Sequence, residues 1–171
     1  MPKPVVIVPY NSGWPIIYDE ESGHIRDSVG GIIRSLEHVG STSIPGLWAK
    51  PIVDMMAGVD GPDIAERCRV LLTPLGYDDA SPGDNPDWYY CLGKAPHSPG
   101  FHLHLVKEGS QFQLKHILFR DWLRTHPADA ETYKKLKISL SKSYRNNRVA
   151  YTDEKTEFID GIVEKAKKSS A

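Results

Sequence analysis

The sequence predicts an α/β (α+β) fold: a small mixed β-sheet with helices packed on it, followed by a helical C-terminal third. Two patterns predict this fold. Helix and strand signals alternate over residues 1–106, and apolar residues recur at helical spacing from residue 111 onward. A length of 171 residues suits one domain with a core of its own. We therefore expect residues 1–171 to form a single domain.

The composition is typical of a globular protein. Apolar residues make up 40% of the chain and charged residues 25%, and no apolar run approaches the roughly 20 residues that span a bilayer. The N-terminus is too short and too proline-broken for a secretion signal. The two cysteines form no CxxC motif, which argues against a disulfide framework and a structural zinc site. We expect a cytoplasmic protein without a membrane segment.

The charges are distributed unevenly, although the net charge is only −1. Residues 111–150 hold nine Lys and Arg residues against three Asp and Glu residues. Such a segment can meet phosphates or an acidic partner, or it can be a solvated helix surface. We favour the solvated surface because the cations form no uninterrupted run. The near-neutral chain and the absence of RNA and DNA motifs argue against nucleic acid binding.

Helices and strands are predicted to alternate in the first two thirds of the chain. One helix, or two, should run from Trp14 to about Leu36. Another should begin with Asp63 as its cap and end near Leu75, where Gly76 closes it. Each of these helices has an apolar stripe that can face a sheet.

Three later strands are predicted at Tyr77–Ala80, Trp88–Leu92 and Phe101–Val106. The segments that connect them, Ser81–Asp87 and Gly93–Gly100, are rich in turn-forming residues and are predicted to be loops at the rim of the fold.

Three helices are predicted in the C-terminal third. The first covers Gln111–Thr125, and the second begins at Pro127, a position in which proline is well tolerated. The third begins near Tyr151 with Thr152 as its N-cap.

The stretch Leu36–Val59 places a turn of small residues between two apolar runs. The turn contains Gly40, Ser41, Thr42 and Ser43. Backbone amides of such a turn can form a concavity that holds an anion, and the hydroxyl groups favour the same ligand. Most turns of this composition bind nothing, and the phosphate-loop pattern GxxxxGK[ST] is absent. The turn is therefore a candidate phosphate site.

Asp54 lies in the apolar run after this turn. Its neighbours predict a buried strand, in which an unpaired carboxylate is costly. Asp54 therefore needs a metal ion, a cation or several hydrogen-bond donors. Lys50 precedes it by four residues, and its ammonium group could reach an anion held by the turn; the alternative is a surface lysine.

His102 and His104 are separated by one residue on a predicted strand, so both side chains point to the same side of the sheet. Two imidazoles on one face can bind a metal ion or a phosphate oxygen. The alternative is a strand with a polar, solvent-facing side.

Further candidates lie on other elements. Lys155 is predicted in the first turn of a helix, where a cation opposes the helix dipole, so a carboxylate such as Asp54 or a bound phosphate must favour it. Tyr151 could stack on a ligand or donate a hydrogen bond, or it could belong to the core. His38 is a candidate for the wall of the pocket, and Arg120 for a bidentate phosphate contact.

Four segments resemble the GrpB-like family, a group of small bacterial proteins of uncharacterised function. They read EHVGSTSIPGLWAKPIVDMMAGV, FHLHLV, FRDWLRTHP and AYTDEKTEFI, and they occur in the family's order. The resemblance implies the sheet of the DNA polymerase beta-type nucleotidyltransferase superfamily, in which a Gly-Ser turn holds nucleotide phosphates and carboxylates hold divalent metal. Members of the family also occur fused to dephospho-coenzyme A kinase.

The resemblance implies a metal-dependent nucleotidyltransferase or phosphoryl-transfer enzyme that uses a nucleotide donor and a small acceptor. Asp54, Lys50 and Lys155 would be its catalytic residues. Asp54, His102 and His104 would hold Mg or Mn, or alternatively Zn.

One position departs from the superfamily pattern. Active members place a second carboxylate two residues after the first, whereas Met56 follows Asp54 here. This departure supports an alternative, a non-catalytic module that binds a nucleotide or coenzyme A.

Overall fold

The computed structural model describes residues 4–80, 85–94 and 100–170. Within them, five strands form one mixed sheet in the order β1-β2-β5-β4-β3. The strands are β1 (Ser35–Val39), β2 (Ile52–Val59), β3 (Asp78–Asp79), β4 (Tyr90–Lys94) and β5 (Gly100–Lys107). The predicted loops 81–87 and 93–100 lie largely outside the described residues.

The two central strands, β2 and β5, are parallel, and every other pair in the sheet is antiparallel. Parallel strands need a long crossover connection, which here contains a helix and the β3–β4 pair. The register places Asp54 beside His102 and Met56 beside His104. Because side chains alternate along a strand, all four of these side chains point to the same face of the sheet.

Helices cover both faces of the sheet. They are α1 (Trp14–Val29), α2 (Pro62–Leu72), α3 (Gln111–Thr125), α4 (Pro127–Ser143) and α5 (Arg148–Ser169). One face packs on α1 and α2 in a continuous apolar core that includes Ile25, Cys68, Met55 and Leu103. Burial of this face supplies most of the hydrophobic stabilisation of the sheet.

The opposite face is covered differently. Ile44 and Leu47, from the segment after β1, pack with Phe119, Tyr133 and other apolar residues of α3, α4 and α5. None of the residues in this second core belongs to a strand, and a pocket remains between the helices and the sheet.

The predicted α/β fold, with a mixed sheet and a helical C-terminal third, is confirmed. Two of the predicted helix boundaries were wrong. The first helix ends at Val29 because Gly30 takes a positive φ of 64°, and a short 3-10 turn leads to β1. The last helix begins at Arg148 and is capped by the side chain of Asn147, which accepts a hydrogen bond from the Ala150 amide, so Thr152 is not its N-cap.

The α2 helix also differs from its prediction at one end. Gly61 occupies the N-cap position and Asp63 lies in the first turn. The other end is as predicted, since a 3-10 turn runs to Leu75 and Gly76 follows in the left-handed conformation.

No helix among residues 4–80, 85–94 and 100–170 has the length and apolar character needed to cross a membrane. Both cysteines are free thiols and are buried.

Candidate functional site

A pocket of about 300 Å³ lies between the sheet and helices α3, α4 and α5. Its walls combine three kinds of residue: the small residues of the turn after β1, aromatic rings, and charged or imidazole side chains. The turn contributes Gly40, Ser41 and Thr42, and the aromatic rings belong to Phe119, Tyr133 and Tyr151. The charged and imidazole side chains are those of Lys50, Asp54, His102, Lys115, His116, Lys137, Arg148 and Lys155.

The turn approaches Asp54 so closely that its first residue has to be glycine. Gly40 has a φ of 71°, and a Cβ atom built on it would lie 2.7 Å from Oδ2 of Asp54. Both the conformation and the contact exclude a side chain at this position. The predicted association of the turn with Asp54 therefore has a steric basis.

The three hydroxyl groups of the turn have different roles. The Ser41 hydroxyl accepts a hydrogen bond of 2.6 Å from Lys137 and lies in the pocket. The Thr42 hydroxyl donates to the carbonyl oxygen of Ile52, and the Ser43 hydroxyl donates to that of Gly40. Ser43 thus stabilises the turn and is not part of the pocket wall.

Two other predicted phosphate contacts, His38 and Arg120, contact the turn and the strand that precedes it. The His38 ring stacks on Tyr18, and its Nε2 lies 2.9 Å from the Thr42 hydroxyl. Burial lowers the pKa of His38 to about 4, so the ring is neutral. The Arg120 guanidinium is held by Glu37 and by the His38 carbonyl oxygen. Neither residue lines the pocket.

Asp54 and His102 lie side by side in the pocket, as their register in the sheet requires. The His102 Nδ1 atom is 3.7 Å from Oδ1 of Asp54, and both side chains are partly exposed to the cavity. This distance is too long for a hydrogen bond, but it allows the two groups to bind one ligand together.

His104 occupies a separate, aromatic environment. Its ring packs edge-on against Trp88 and near Phe112, and it is not part of the pocket wall. Its Nδ1 atom is buried without a hydrogen-bond partner among the described residues. Burial lowers the pKa of His104 to about 4. The structure therefore brings together two of the three predicted metal ligands, Asp54 and His102.

Lys50 and Lys155 share one aromatic ring. Their Nζ atoms lie 5.2 Å and 4.4 Å from the centroid of the Tyr151 ring, which is a cation–π arrangement for both. Burial, with a smaller contribution from the neighbouring Lys50, lowers the pKa of Lys155 to about 8, and Asp54 opposes part of this shift. The structure thus unites the predicted catalytic residues Asp54, Lys50 and Lys155 with Tyr151 in one pocket.

Lys137 is the most buried cation of the site, and the interpretation of the basic segment as a solvated surface was wrong for it. Its side chain is only 2% exposed. The ammonium group donates hydrogen bonds of 2.6 Å to the Ser41 hydroxyl and to the Trp48 carbonyl oxygen. Burial lowers its pKa well below the usual value. The spacing of Tyr133, Lys137 and Leu140 places this lysine on the buried face of α4, a signal that the sequence does contain.

His116 is a second residue that sequence reasoning did not identify. Its Nδ1 atom lies 2.9 Å from the carbonyl oxygen of Phe112. A carbonyl only accepts, so Nδ1 carries the proton and Nε2 of the neutral ring is a hydrogen-bond acceptor. Burial lowers the pKa of His116, which favours this neutral form. The pocket can therefore accept a hydrogen bond from a ligand hydroxyl as well as bind an anion.

The charges of the pocket favour an anion over a pair of divalent ions. Among the described wall residues, Asp54 is the only carboxylate and faces four lysines and an arginine. Magnesium and manganese prefer several oxygen ligands, and a second cation beside these ammonium groups would be repelled. No three His, Cys, Asp or Glu side chains in the described ranges are placed to hold a metal ion. These residues do not fit a two-metal site, and a single metal ion at Asp54 stays a prediction.

Comparison with known proteins identifies the family. Residues 4–165 match the family model described as GrpB protein. The chain belongs to the GrpB family. A UPF0157 protein of Halalkalibacterium halodurans is 32% identical over 165 residues, which are 95% of this chain and 82% of that protein.

Two further comparisons concern the fold and a larger relative. The crystal structure of conserved protein GrpB from Enterococcus faecalis aligns with a TM-score of 0.85 at 28% identity, over 96% of this chain and 99% of that one. A dephospho-CoA kinase of Mycobacterium bovis is 23% identical over 163 residues, which are 81% of this chain but only 40% of that protein. The predicted family resemblance is confirmed.

Proposed function

We propose that this GrpB-family protein binds a small molecule that carries phosphate groups, a nucleotide or coenzyme A, in the pocket between the turn after β1 and helix α5. The observation that carries this proposal is a set of one buried and two partly buried lysines without carboxylate partners among the described residues. Among the described residues, neither Lys50, Lys137 nor Lys155 forms an ion pair with an Asp or Glu side chain.

Buried ammonium groups are costly unless a counter-charge compensates them. Asp54 supplies one negative charge to a wall that carries several positive ones. A phosphate group brings up to two negative charges and several acceptor oxygens, which match lysine donors and the Ser41 hydroxyl. A bound phosphate therefore compensates the excess positive charge of the pocket wall.

The walls also suit the organic part of such a ligand. A cavity of about 300 Å³ lies at the lower end of the range for small-molecule sites. Phe119, Tyr133 and Tyr151 provide aromatic surface, and Nε2 of His116 accepts a hydrogen bond from a sugar hydroxyl. Coenzyme A is included because part of a dephospho-CoA kinase is related to this chain.

This donor set favours a binding module over the metal-dependent transferase that the family resemblance implies. Met56 stands where active members of the superfamily have their second carboxylate, and the pocket wall around Asp54 carries lysines and an arginine. We propose that these ammonium groups neutralise the phosphates directly, so that the ligand binds without a divalent ion.

Isothermal titration calorimetry with ATP, coenzyme A and pyrophosphate, each in EDTA and in excess magnesium, tests the proposal. We expect binding in EDTA and no gain in affinity from magnesium. Lys50→Ala should weaken binding about tenfold, the effect of one lost charge-assisted contact. The control Lys135→Ala, on the exposed surface of α4, should bind as the wild type does.

Asp54→Asn distinguishes the two roles of the carboxylate. If lysines alone hold the phosphates, removing the negative charge strengthens binding several-fold. If Asp54 holds a metal ion that binds the phosphates, the same substitution abolishes binding and magnesium strengthens it in the wild type. The second pattern, or no binding of any of the three compounds, would overturn the proposal.

A further inference from the structure

Lys155 is a partly buried lysine that lines the pocket and packs on an aromatic ring. Its Nζ atom lies over the Tyr151 ring at 4.4 Å from the centroid, on a ring that it shares with Lys50. The described residues place no carboxylate oxygen within 4.0 Å of this amine. Two like charges on one buried ring favour release of a proton from one of them.

Release of that proton makes the amine a nucleophile. A lysine becomes reactive when it is desolvated or lies next to another cation, because the neutral form carries the lone pair. Burial holds the pKa of Lys155 at about 8, so a substantial fraction of the amine is neutral near pH 7.5, against roughly one part in a thousand for an ordinary lysine.

Lys137 and Lys50 are less suited to this role. The Lys137 ammonium group donates two hydrogen bonds of 2.6 Å, to Ser41 and Trp48, and its side chain is almost fully enclosed. A carbonyl compound has no approach to it without breaking those bonds. Lys50 lies farther from the Tyr151 ring than Lys155 does, with its Nζ atom at 5.2 Å from the ring centroid against 4.4 Å.

We propose that Lys155 forms a reversible imine with an aldehyde or ketone that also carries a phosphate group. The Nζ lone pair attacks the carbonyl carbon, and the carbonyl electron pair moves to oxygen, which takes up a proton. Loss of the hydroxyl group as water then leaves a C=N bond, and the two hydrogens of the neutral amine leave in that water. The step needs no oxidant, reductant or metal.

The phosphate part of this inference rests on the proposed function, whereas the reactivity of Lys155 does not. Lys50, Lys137 and Arg148 would hold the phosphate while the carbonyl group lies at Lys155. The ligand class is therefore narrower than phosphate compounds in general: a phosphorylated aldehyde or ketone of a size that fits about 300 Å³.

Reductive trapping tests the proposal directly on the wild-type protein. The chain is incubated with limiting pyridoxal 5′-phosphate, reduced with borohydride, digested and mapped by mass spectrometry. We expect Lys155 to be labelled at least about tenfold faster than the exposed Lys135, and pyrophosphate to compete with the label. Equal labelling of the two lysines, or a label concentrated on Lys50 or Lys137, would overturn it.

Two variants and one unphosphorylated probe complete the design. Lys155→Arg keeps the positive charge but has no primary amine, and it should abolish the pocket label. Lys135→Arg, on the exposed surface of α4, should change neither the label nor pyrophosphate binding. Pyridoxal, which lacks the phosphate, reports the reactivity of Lys155 alone. If pyrophosphate binds and neither probe prefers Lys155, only this inference fails. If pyridoxal labels Lys155 and pyrophosphate does not bind, only the proposed function fails.

Discussion

Two partly buried lysines, Lys94 and Lys155, pack against aromatic rings, but among the described residues only Lys94 has a carboxylate partner. Lys94 lies 5.7 Å from the Tyr77 ring centroid and 3.0 Å from a carboxylate oxygen of the buried Glu21. Lys155 lies 4.4 Å from the Tyr151 ring centroid, without a carboxylate at such a distance in the described structure. The first lysine is compensated by a carboxylate of the chain, whereas the second forms no ion pair among the described residues, which is the basis of our proposal that an anion binds there.

The tyrosines beside these lysines differ in the same way. The Tyr77 hydroxyl donates a hydrogen bond of 2.8 Å to Glu21, which completes a closed network between α1 and the sheet. The Tyr151 hydroxyl is buried without a partner among the described residues. Buried polar groups that lack partners are rare in folded proteins and often mark a functional site. One cluster is satisfied by contacts within the chain, and the other contains a hydroxyl without a partner among the described residues, as we expect of the ligand site that we propose.

The largest effect on the free energy of unfolding is expected when a lysine with a carboxylate partner is replaced, and it can be compared with the replacement of a lysine without one. Lys94→Met leaves Glu21 buried without its cation, which should lower the free energy of unfolding by about 3 kcal/mol. Lys137→Met removes a charge that has no carboxylate partner and should cost less than about 1 kcal/mol, chiefly for the lost bond to Trp48.

Urea denaturation of the two variants measures this difference. Calorimetry with pyrophosphate should give the reverse order, with binding retained in Lys94→Met and lost in Lys137→Met. Equal destabilisation of the two proteins would mean that Lys137 is a structural residue like Lys94, and the division between the two clusters would not hold.

The apolar and conformational features of the fold were predictable from the sequence. The α3 helix has its predicted bounds, because Ser110 caps it and its apolar residues recur regularly. The sheet position of Asp54 beside His102 followed from alternation along two strands and from the family resemblance. These features depend on residues close together in the chain or on a regular period.

The long-range polar contacts were not predictable in the same way. Lys137 reaches Ser41 across 96 positions of sequence, and nothing in the local pattern of α4 names that partner. His104 shares a sheet face with His102 but meets Trp88 and Phe112 instead of Asp54. Which element covers a given part of a sheet face is decided by tertiary packing, so the strand pattern alone placed His104 in the wrong environment.

A smaller effect is expected from the turn that brings the pocket hydroxyls together. Gly40→Ala forces a side chain into a positive φ and against the Asp54 carboxylate, which should lower the free energy of unfolding by about 2 kcal/mol and weaken pyrophosphate binding. Gly31→Ala is the control, since a Cβ atom there meets nothing within 4 Å. Urea denaturation and calorimetry of both variants give the comparison, and a Gly40→Ala protein as stable as Gly31→Ala would show that the turn tolerates a side chain.

The smallest effect expected is a pH dependence that only the uncompensated cluster produces. Because the pKa of Lys155 is lowered to about 8 in the folded protein and lies near 10.5 in the unfolded chain, the unfolded state binds more protons between these values. The charged form therefore destabilises the fold fully below pH 8, and stability recovers as the pH rises from 8, by at most about 1.4 kcal/mol per pH unit.

Lys50 and Lys137 face the same cavity, and their pKa values shift in the same direction. The quantity to measure is therefore the difference in the free energy of unfolding between the wild type and Lys155→Met from pH 7 to pH 9.5. Urea denaturation of the ligand-free proteins should show that this difference changes in favour of the wild type above pH 8. A difference that is flat across this range in the ligand-free protein would mean that Lys155 is as well compensated as Lys94.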